Sequence, residues 1–320
     1  MRRVLLLGGT GWVGRMVAER LVGEGADVTC LARGESGGIA DGARLVRADR
    51  RRQGAYDGVP GEWDEVVEVA YEPDLVASAL DALADRAAHW TLVSSVSVYA
   101  SNADAGADES AAVVAPVDLE QYPDAKVAAE QITAERLGDR LLIARPGLIV
   151  GEGDPSDRFG YWAARFSRPG PVLMPTIADR FAQVIDVADL AEWIALAGAR
   201  AVVGTMNAVG EEQPLGAVLR EVAEAAGFDG ETVEVDDETL LERDVRYWAG
   251  PRSLPLRLPH ADAGFARRAG ARFRDAGGRL SPLRKTILRV LADERDRGVE
   301  RPRRSGLTAA EERAVLDAVS

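Results

Sequence analysis

Tyr122 and Lys126, four residues apart, form the pair in this chain best suited to moving a proton. Only two of its 39 Lys and Arg residues are lysines, so a sequence that otherwise uses arginine has kept an ammonium here. An ammonium is a compact donor on a flexible stem, whereas a guanidinium is a wide, permanently charged fork. On a helix, side chains four apart share a face, which lets Tyr122 and Lys126 enter one site together. There the ammonium is expected to lower the phenol's pKa toward working pH by favouring the phenolate. A plain surface Tyr and Lys show the same spacing, so the pair gains meaning only from elements that bring it to a ligand.

Those elements begin at the N-terminus. Val4-Leu5-Leu6-Leu7 is a short apolar run of the kind that forms a buried parallel strand. Gly8-Gly9-Thr10-Gly11-Trp12-Val13-Gly14 follows directly, and then Met16, Val17, Leu21 and Val22 at helical spacing. Strand, glycine-rich turn and helix in this order suit a dinucleotide. The glycines allow a tight turn and a close approach of the pyrophosphate, and the helix N-terminus offers unpaired N–H groups and a positive dipole end. Further on, apolar segments at 4–8, 27–32, 44–47, 64–70, 90–94 and 140–145 read as strands, with helices over 12–24, 73–87 and 119–136. This alternation predicts an α/β fold: a Rossmann-type, doubly wound parallel sheet with a smaller C-terminal substrate-binding domain. Residues 1–150 and 178–203 are expected in the dinucleotide-binding unit, 151–177 and 204–282 in the cap, and 283–320 in terminal helices. Ligands then lie beyond the carboxyl ends of the strands, near Gly8, Arg33, Tyr71 and Ser95.

The spacing Gly8-x-x-Gly11-x-x-Gly14, together with Tyr122 and Lys126, resembles the short-chain dehydrogenase/reductase superfamily. Val93-Ser94-Ser95-Val96-Ser97-Val98-Tyr99, Arg145-Pro146-Gly147-Leu148-Ile149-Val150-Gly151 and Val184-Ile185-Asp186-Val187-Ala188-Asp189-Leu190-Ala191 are similar to landmarks of its extended, epimerase/dehydratase-like branch. The resemblance runs over most of residues 1–200 and thins beyond. It implies that Ser95, Tyr122 and Lys126 are catalytic and that Lys126 also holds the nicotinamide ribose. It implies further that Gly8, Thr10, Gly11, Trp12, Val13, Gly14 and Tyr71 border the cofactor and that Asp49 sits near the adenine ring. Dehydratases of the branch carry an Asp-Glu pair directly after the catalytic serine or threonine. Val96-Ser97 stand there instead, which argues against dehydration. Pro123 and Ala100 replace glycines common in the family, and Pro123 suits the first turn of a helix.

Cofactor choice is read at the end of the second strand, where an acid would accept from the 2′-hydroxyl of NAD. Here Leu31-Ala32-Arg33-Gly34 offers no acid until Glu35, and an arginine suits a 2′-phosphate. NADP(H) is therefore expected over NAD(H), with Arg15 as a second candidate charge. Hydride transfer to a carbonyl leaves an alkoxide that needs a proton, a role for Tyr122, while Ser95 orients the substrate oxygen. The expected activity is reduction of a carbonyl or imine of a small molecule. An epimerase that retains NAD, or a dinucleotide-sensing regulator without turnover, are the alternatives.

Composition narrows the classes. A net charge of −13 argues against a nucleic-acid surface. The single cysteine, Cys30, excludes an intramolecular disulfide and reads as a small buried thiol. No apolar run reaches membrane-spanning length and no signal-peptide core follows Arg2-Arg3, so a cytoplasmic protein is expected, with a small-molecule substrate and a possible homodimer. No metal is expected, since His89 and His260 stand apart in sequence. Phe159, Trp162 and Phe166 read as the core stripe of a helix, although the same segment, with Arg158 and Arg165, would also suit an aromatic or anionic ligand. Tyr247 and Trp248 are lid candidates, and Asp186 and Asp189 read as the cap and first turn of a helix over 190–197. A helix over 282–297 is followed by Arg301-Pro302-Arg303-Arg304, read as a solvated linker, and by a capping box at Thr308-x-x-Glu311.

Overall fold

The computed structural model describes residues 1–319. Strands β1 (Arg3–Leu7), β2 (Asp27–Ala32), β3 (Arg44–Arg47), β4 (Trp63–Glu68), β5 (Ala87–Val93) and β6 (Leu141–Pro146) alternate with helices α1 (Trp12–Gly23), α2 (Pro73–Leu83) and α3 (Tyr122–Leu137). After them come β7 (Leu148–Val150), α4 (Arg158–Phe166), β8 (Val172–Pro175), β9 (Phe181–Asp186), α5 (Val187–Ala199), β10 (Gly204–Ala208), β11 (Glu212–Pro214), α6 (Leu215–Ala226), β12 (Thr232–Val235) and α7 (Asp237–Glu242). The chain closes with β13 (Arg246–Trp248), β14 (Ser253–Pro255), α8 (Ala271–Asp275), α9 (Leu283–Arg297) and α10 (Ala309–Val319).

Seven parallel strands lie in the order β10-β6-β5-β4-β1-β2-β3. Val4, Leu5, Leu6 and Leu7 of β1 are fully buried because helices cover both faces of the sheet. Each such side chain contributes roughly 1.5–3 kcal/mol by leaving water. Leu6, Val17, Leu21, Leu190 and Ile194 fill the face under α1 and α5, while Leu5, Leu7, Val76, Leu80 and Leu92 fill the face under α2 and α3. The strand order reverses between β1 and β4, which opens the crevice where such sheets bind ligands.

Several boundaries differ from expectation. β4 stops at Glu68 because that side chain accepts from the Ala70 amide (2.8 Å) and turns the chain. β5 starts at Ala87, ahead of the expected 90. Ala87 and His89 pair with Trp63 and Glu65, and this pairing overrides the helix preference of alanine. β10, placed by sequence in the cap, instead forms the sheet's edge beside β6, with Asn207 opposite Arg145. Asp186 does cap α5, accepting from the Ala188 amide at 2.9 Å.

The smaller layer has one core of its own. Phe159, Trp162 and Phe166 of α4 pack there with Leu219, Ile287, Leu291 and Leu316, so the terminal helices share the core of the cap. The basic run after α9 is not a solvated linker. Arg301 bonds Asp157 (2.5 Å) and Glu294 (2.8 Å), Arg303 bonds Glu294 (2.6 Å), and the Arg304 amide donates to Asp157 (2.8 Å). Glu294 is 2% exposed, and a buried carboxylate needs such partners. Thr308 and Glu311 form the expected reciprocal cap on α10.

Candidate active site

The glycine-rich turn is built by close approach. Gly8 has φ +103°, and a Cβ there would stand 2.4 Å from Val69. A Cβ on Gly14 would stand 2.5 Å from the Gly8 carbonyl oxygen. Gly14 therefore serves the turn's packing and lines neither ligand cavity. At Gly11, by contrast, the nearest atom to an added Cβ is 3.6 Å away. Gly11 heads α1, and among the described residues no side chain caps it and no acid occupies the first turn. An open backbone with free amides fits the pyrophosphate of a dinucleotide.

One cavity on this turn, of about 190 Å³, is lined by Gly8, Thr10, Gly11, Arg33, Asp49 and Arg51. Arg33 is exposed at its rim and pairs with Glu35 at 3.2 Å. Asp49 accepts from the Arg51 amide at 3.0 Å, so it shapes the turn after β3. Arg15 turns away and pairs with Glu19 at 3.0 Å. Beneath lies the buried pair Arg50–Glu68, which the sequence reading missed, although a Glu inside the apolar run Val66-Val67-Glu68-Val69 was a signal.

A second cavity, of about 400 Å³, brings Trp12, Val13, Tyr71, Ser95, Tyr122 and Lys126 together. Tyr122 opens α3, with Pro123 in the first turn where a missing N–H costs nothing. Its ring meets Tyr71 edge-on at 5.1 Å. Ser95, at the end of β5, hydrogen bonds the Ser97 amide and hydroxyl at 3.1 and 3.2 Å. Lys126 is 3% exposed, and its Nζ donates to the Val93 carbonyl at 2.6 Å and lies 5.8 Å from the Tyr122 ring centre. Burial pulls its pKa down to about 8, against the nearby carboxylates of Glu68, Glu130 and Glu72.

The expected effect of Lys126 on Tyr122 is not what this site produces. The Tyr122 pKa is raised: the protein mass around the phenol desolvates it, although the residue keeps 43% of its surface, and this outweighs the hydrogen bond from Ser95. The positive charge that acts on the phenol is that of Arg158, while the Lys126 ammonium donates one bond to the Val93 carbonyl.

The landmark Arg145 turns out to brace the site. It forms a buried pair with Glu130 of α3 (2.6 and 2.9 Å) and donates to the Tyr99 hydroxyl (3.1 Å), which in turn donates to Asn207 (2.7 Å). Cys30 is buried, its thiol pushed up to about 11, as a core group would be. His89 sits in β5 with Nε2 2.8 Å from the Val202 carbonyl. Among the described residues no group of three or more His, Cys, Asp or Glu could hold a metal ion, and no helix is long and apolar enough to cross a membrane.

The model of the NAD dependent epimerase/dehydratase family matches residues 4–209. This chain belongs to that family. A comparison with curated proteins gives no significant sequence match. Among solved structures, a candidate epimerase from Burkholderia cenocepacia J2315 is 25% identical, with a TM-score of 0.71 over 92% of this chain and 98% of that one. RMD from Pseudomonas aeruginosa, complexed with NADPH, is 19% identical, with a TM-score of 0.66 over 93% and 100%. UDP-glucuronic acid 4-epimerase from Bacillus cereus, in complex with NAD, is 12% identical, with a TM-score of 0.69 over 92% and 99%. The last two likenesses concern the fold alone. As a family member the chain is an NAD(P)-binding protein of the extended short-chain class.

In this epimerase/dehydratase-family chain the cavity also gathers residues beyond the expected catalytic and cofactor set. Arg158, from the segment the sequence offered for an anionic ligand, lines it together with Trp248 and Phe265. Trp248 was a lid candidate only, and Phe265 gave no local signal at all.

Proposed function

We propose that this protein is an NADP(H)-dependent oxidoreductase that reduces a carbonyl or imine of a small molecule. The observation that carries this reading is the meeting of Ser95, Tyr122 and Lys126 with Trp12 and Val13 of the glycine-rich turn in one cavity. NADPH, when bound, supplies the hydride. Ser95 holds the substrate oxygen by donating a hydrogen bond to it. Tyr122, kept protonated by its raised pKa, is the acid that delivers a proton to that oxygen. Lys126 holds the nicotinamide ribose hydroxyls from the floor of the site. Val96 follows Ser95 as a buried apolar residue, so no carboxylate stands there for elimination.

Arg33 and Arg51 on the adenosine-side cavity support NADP(H) over NAD(H), since a guanidinium pairs a phosphate by two charge-assisted bonds. A second reading, an epimerase that retains NAD, has the family match behind it. One experiment separates them: scan the supernatant of denatured protein for nicotinamide, then titrate refolded protein with NADPH and NADH beside Arg33→Asp. Tight NADPH binding, weakened about ten- to hundredfold in the variant, with nothing released, supports the reductase. Released NAD, or a preference for NADH, gives the site to the epimerase.

A further inference from the structure

The catalytic cavity holds a half-buried cation, Arg158, that makes no direct ion pair among the described residues, with Asp154 on the same wall. Three buried arginines are paired with carboxylates, Arg50 with Glu68, Arg145 with Glu130, and Arg165 with Glu312, and buried Arg268, which forms no ion pair among the described residues, donates instead to the Ser101 carbonyl and Asn102. Arg158 opens α4 and lines the cavity with Tyr122 and Ser95. Its Nε donates to Ser156 Oγ at 3.2 Å, and among the described residues it forms no ion pair. Asp154 acts on it through space, while the Asp154 oxygens themselves accept from the Ser156 amide and hydroxyl at 2.8 and 2.9 Å. Burial works against the guanidinium's charge, yet a guanidinium does not give up its proton in proteins. An anion from outside would relieve this.

The guanidinium is also aimed. Trp248 covers one face, with the Arg158 guanidinium carbon 5.1 Å from its ring centre, and Phe265 meets Trp248 edge-on at 5.1 Å. Trp248 has φ +63°, a left-handed backbone that bulky residues rarely adopt, fixed by its amide bonding the Arg257 carbonyl at 2.9 Å. Strain of this kind gathers at ligand clamps. With Ser156 on Nε and Trp248 on a face, the terminal nitrogens are left for the cavity.

We propose that the substrate is a small carbonyl compound bearing a carboxylate, with the carboxylate on Arg158, the carbonyl on Ser95 and Tyr122, and an apolar or aromatic body against Trp248 and Phe265. The placing of the carbonyl rests on the reductase reading; the carboxylate site does not. One planar guanidinium matches one carboxylate bidentately, whereas a nucleotide diphosphate brings more charge than Arg158 alone offsets. Arg158, Ser95 and Tyr122 line one cavity of about 400 Å³, a space that one small molecule can span.

The test is calorimetry on NADP⁺-loaded wild type, Arg158→Met and Arg158→Lys, with phenylpyruvate, neutral phenylacetone and UDP-glucose as probes. Phenylpyruvate is expected to bind about ten- to hundredfold more tightly than phenylacetone, the worth of a charge-assisted pair. Arg158→Met should erase that preference with NADP⁺ affinity intact, and Arg158→Lys should keep part of it. Equal binding of the two ketones, no binding of either, a preference that survives Arg158→Met, or tighter Arg158-dependent binding of UDP-glucose overturns the proposal. If Arg158→Met does not fold, the wild-type preference and the lysine variant still decide. Phenylpyruvate held through Arg158 but never reduced with NADPH supports the carboxylate site and sinks the reductase reading.

Discussion

The Lys126 ammonium donates to the carbonyl of Val93 at 2.6 Å, two residues before Ser95. This bond ties α3, which begins at Tyr122, to the strand end that carries the serine. The helix is fixed a second time by Arg145 and Glu130. Lys126, proposed to hold the cofactor ribose, is therefore also the link that sets the distance between the proposed acid and the hydroxyl beside it.

Tyr122→Phe removes the proposed proton donor and nothing that packs. Turnover with a carbonyl substrate is expected to fall by about 10²–10⁴-fold with NADPH affinity preserved, read by steady-state kinetics beside calorimetry. Undiminished turnover would take the acid role away from Tyr122.

Lys126 links folding to pH. Its pKa is depressed from 10.5 to about 8, chiefly by burial. Between those values the folded protein holds fewer protons than the unfolded chain, so this group makes stability rise with pH there. Its unfavourable effect is fully present below about pH 8. Denaturant titration of cofactor-free protein at pH 7 and pH 10.5 should show a gain on the order of 3 kcal/mol that Lys126→Met lacks. Parallel pH curves for the two proteins would show that the ammonium is not desolvated.

Gly14→Ala sets a Cβ against the backbone of Gly8 rather than against a flexible side chain. The turn must shift, so NADPH binding should weaken by at least about tenfold, a loss near 1.4 kcal/mol, while far-ultraviolet circular dichroism stays that of a folded protein. Unchanged affinity would mean that the turn does not hold the pyrophosphate.

Glu294→Ala leaves Arg301 and Arg303 without their shared carboxylate. Breaking a buried pair on one side costs about 3–5 kcal/mol, seen as a lower melting temperature and earlier proteolysis of the segment after α9. Wild-type stability in this variant would restore the solvated-linker reading.

The sequence alone determined what is local and periodic. Leu-rich β1, the glycine turn and the α1 stripe are contiguous, so their order identifies the strand–turn–helix unit without tertiary knowledge. Tyr122 and Lys126 were legible because one helix carries both. The Thr308–Glu311 cap was legible because its two hydrogen bonds span three residues. Tertiary structure decided what depends on residues far apart in the chain. Arg158 and Trp248 meet only because the cap folds α4 against β14 and so brings Trp248 at the end of β13 over Arg158, and neither has a local pattern that marks the other. The fate of Arg301 and Arg303 depended on a carboxylate buried in α9, which a charge count along the chain cannot locate. The direction of the Tyr122 pKa shift was likewise out of reach, because it turns on how much protein surrounds the phenol. Spacing fixes which side chains share a face; desolvation and pairing are properties of the packed whole.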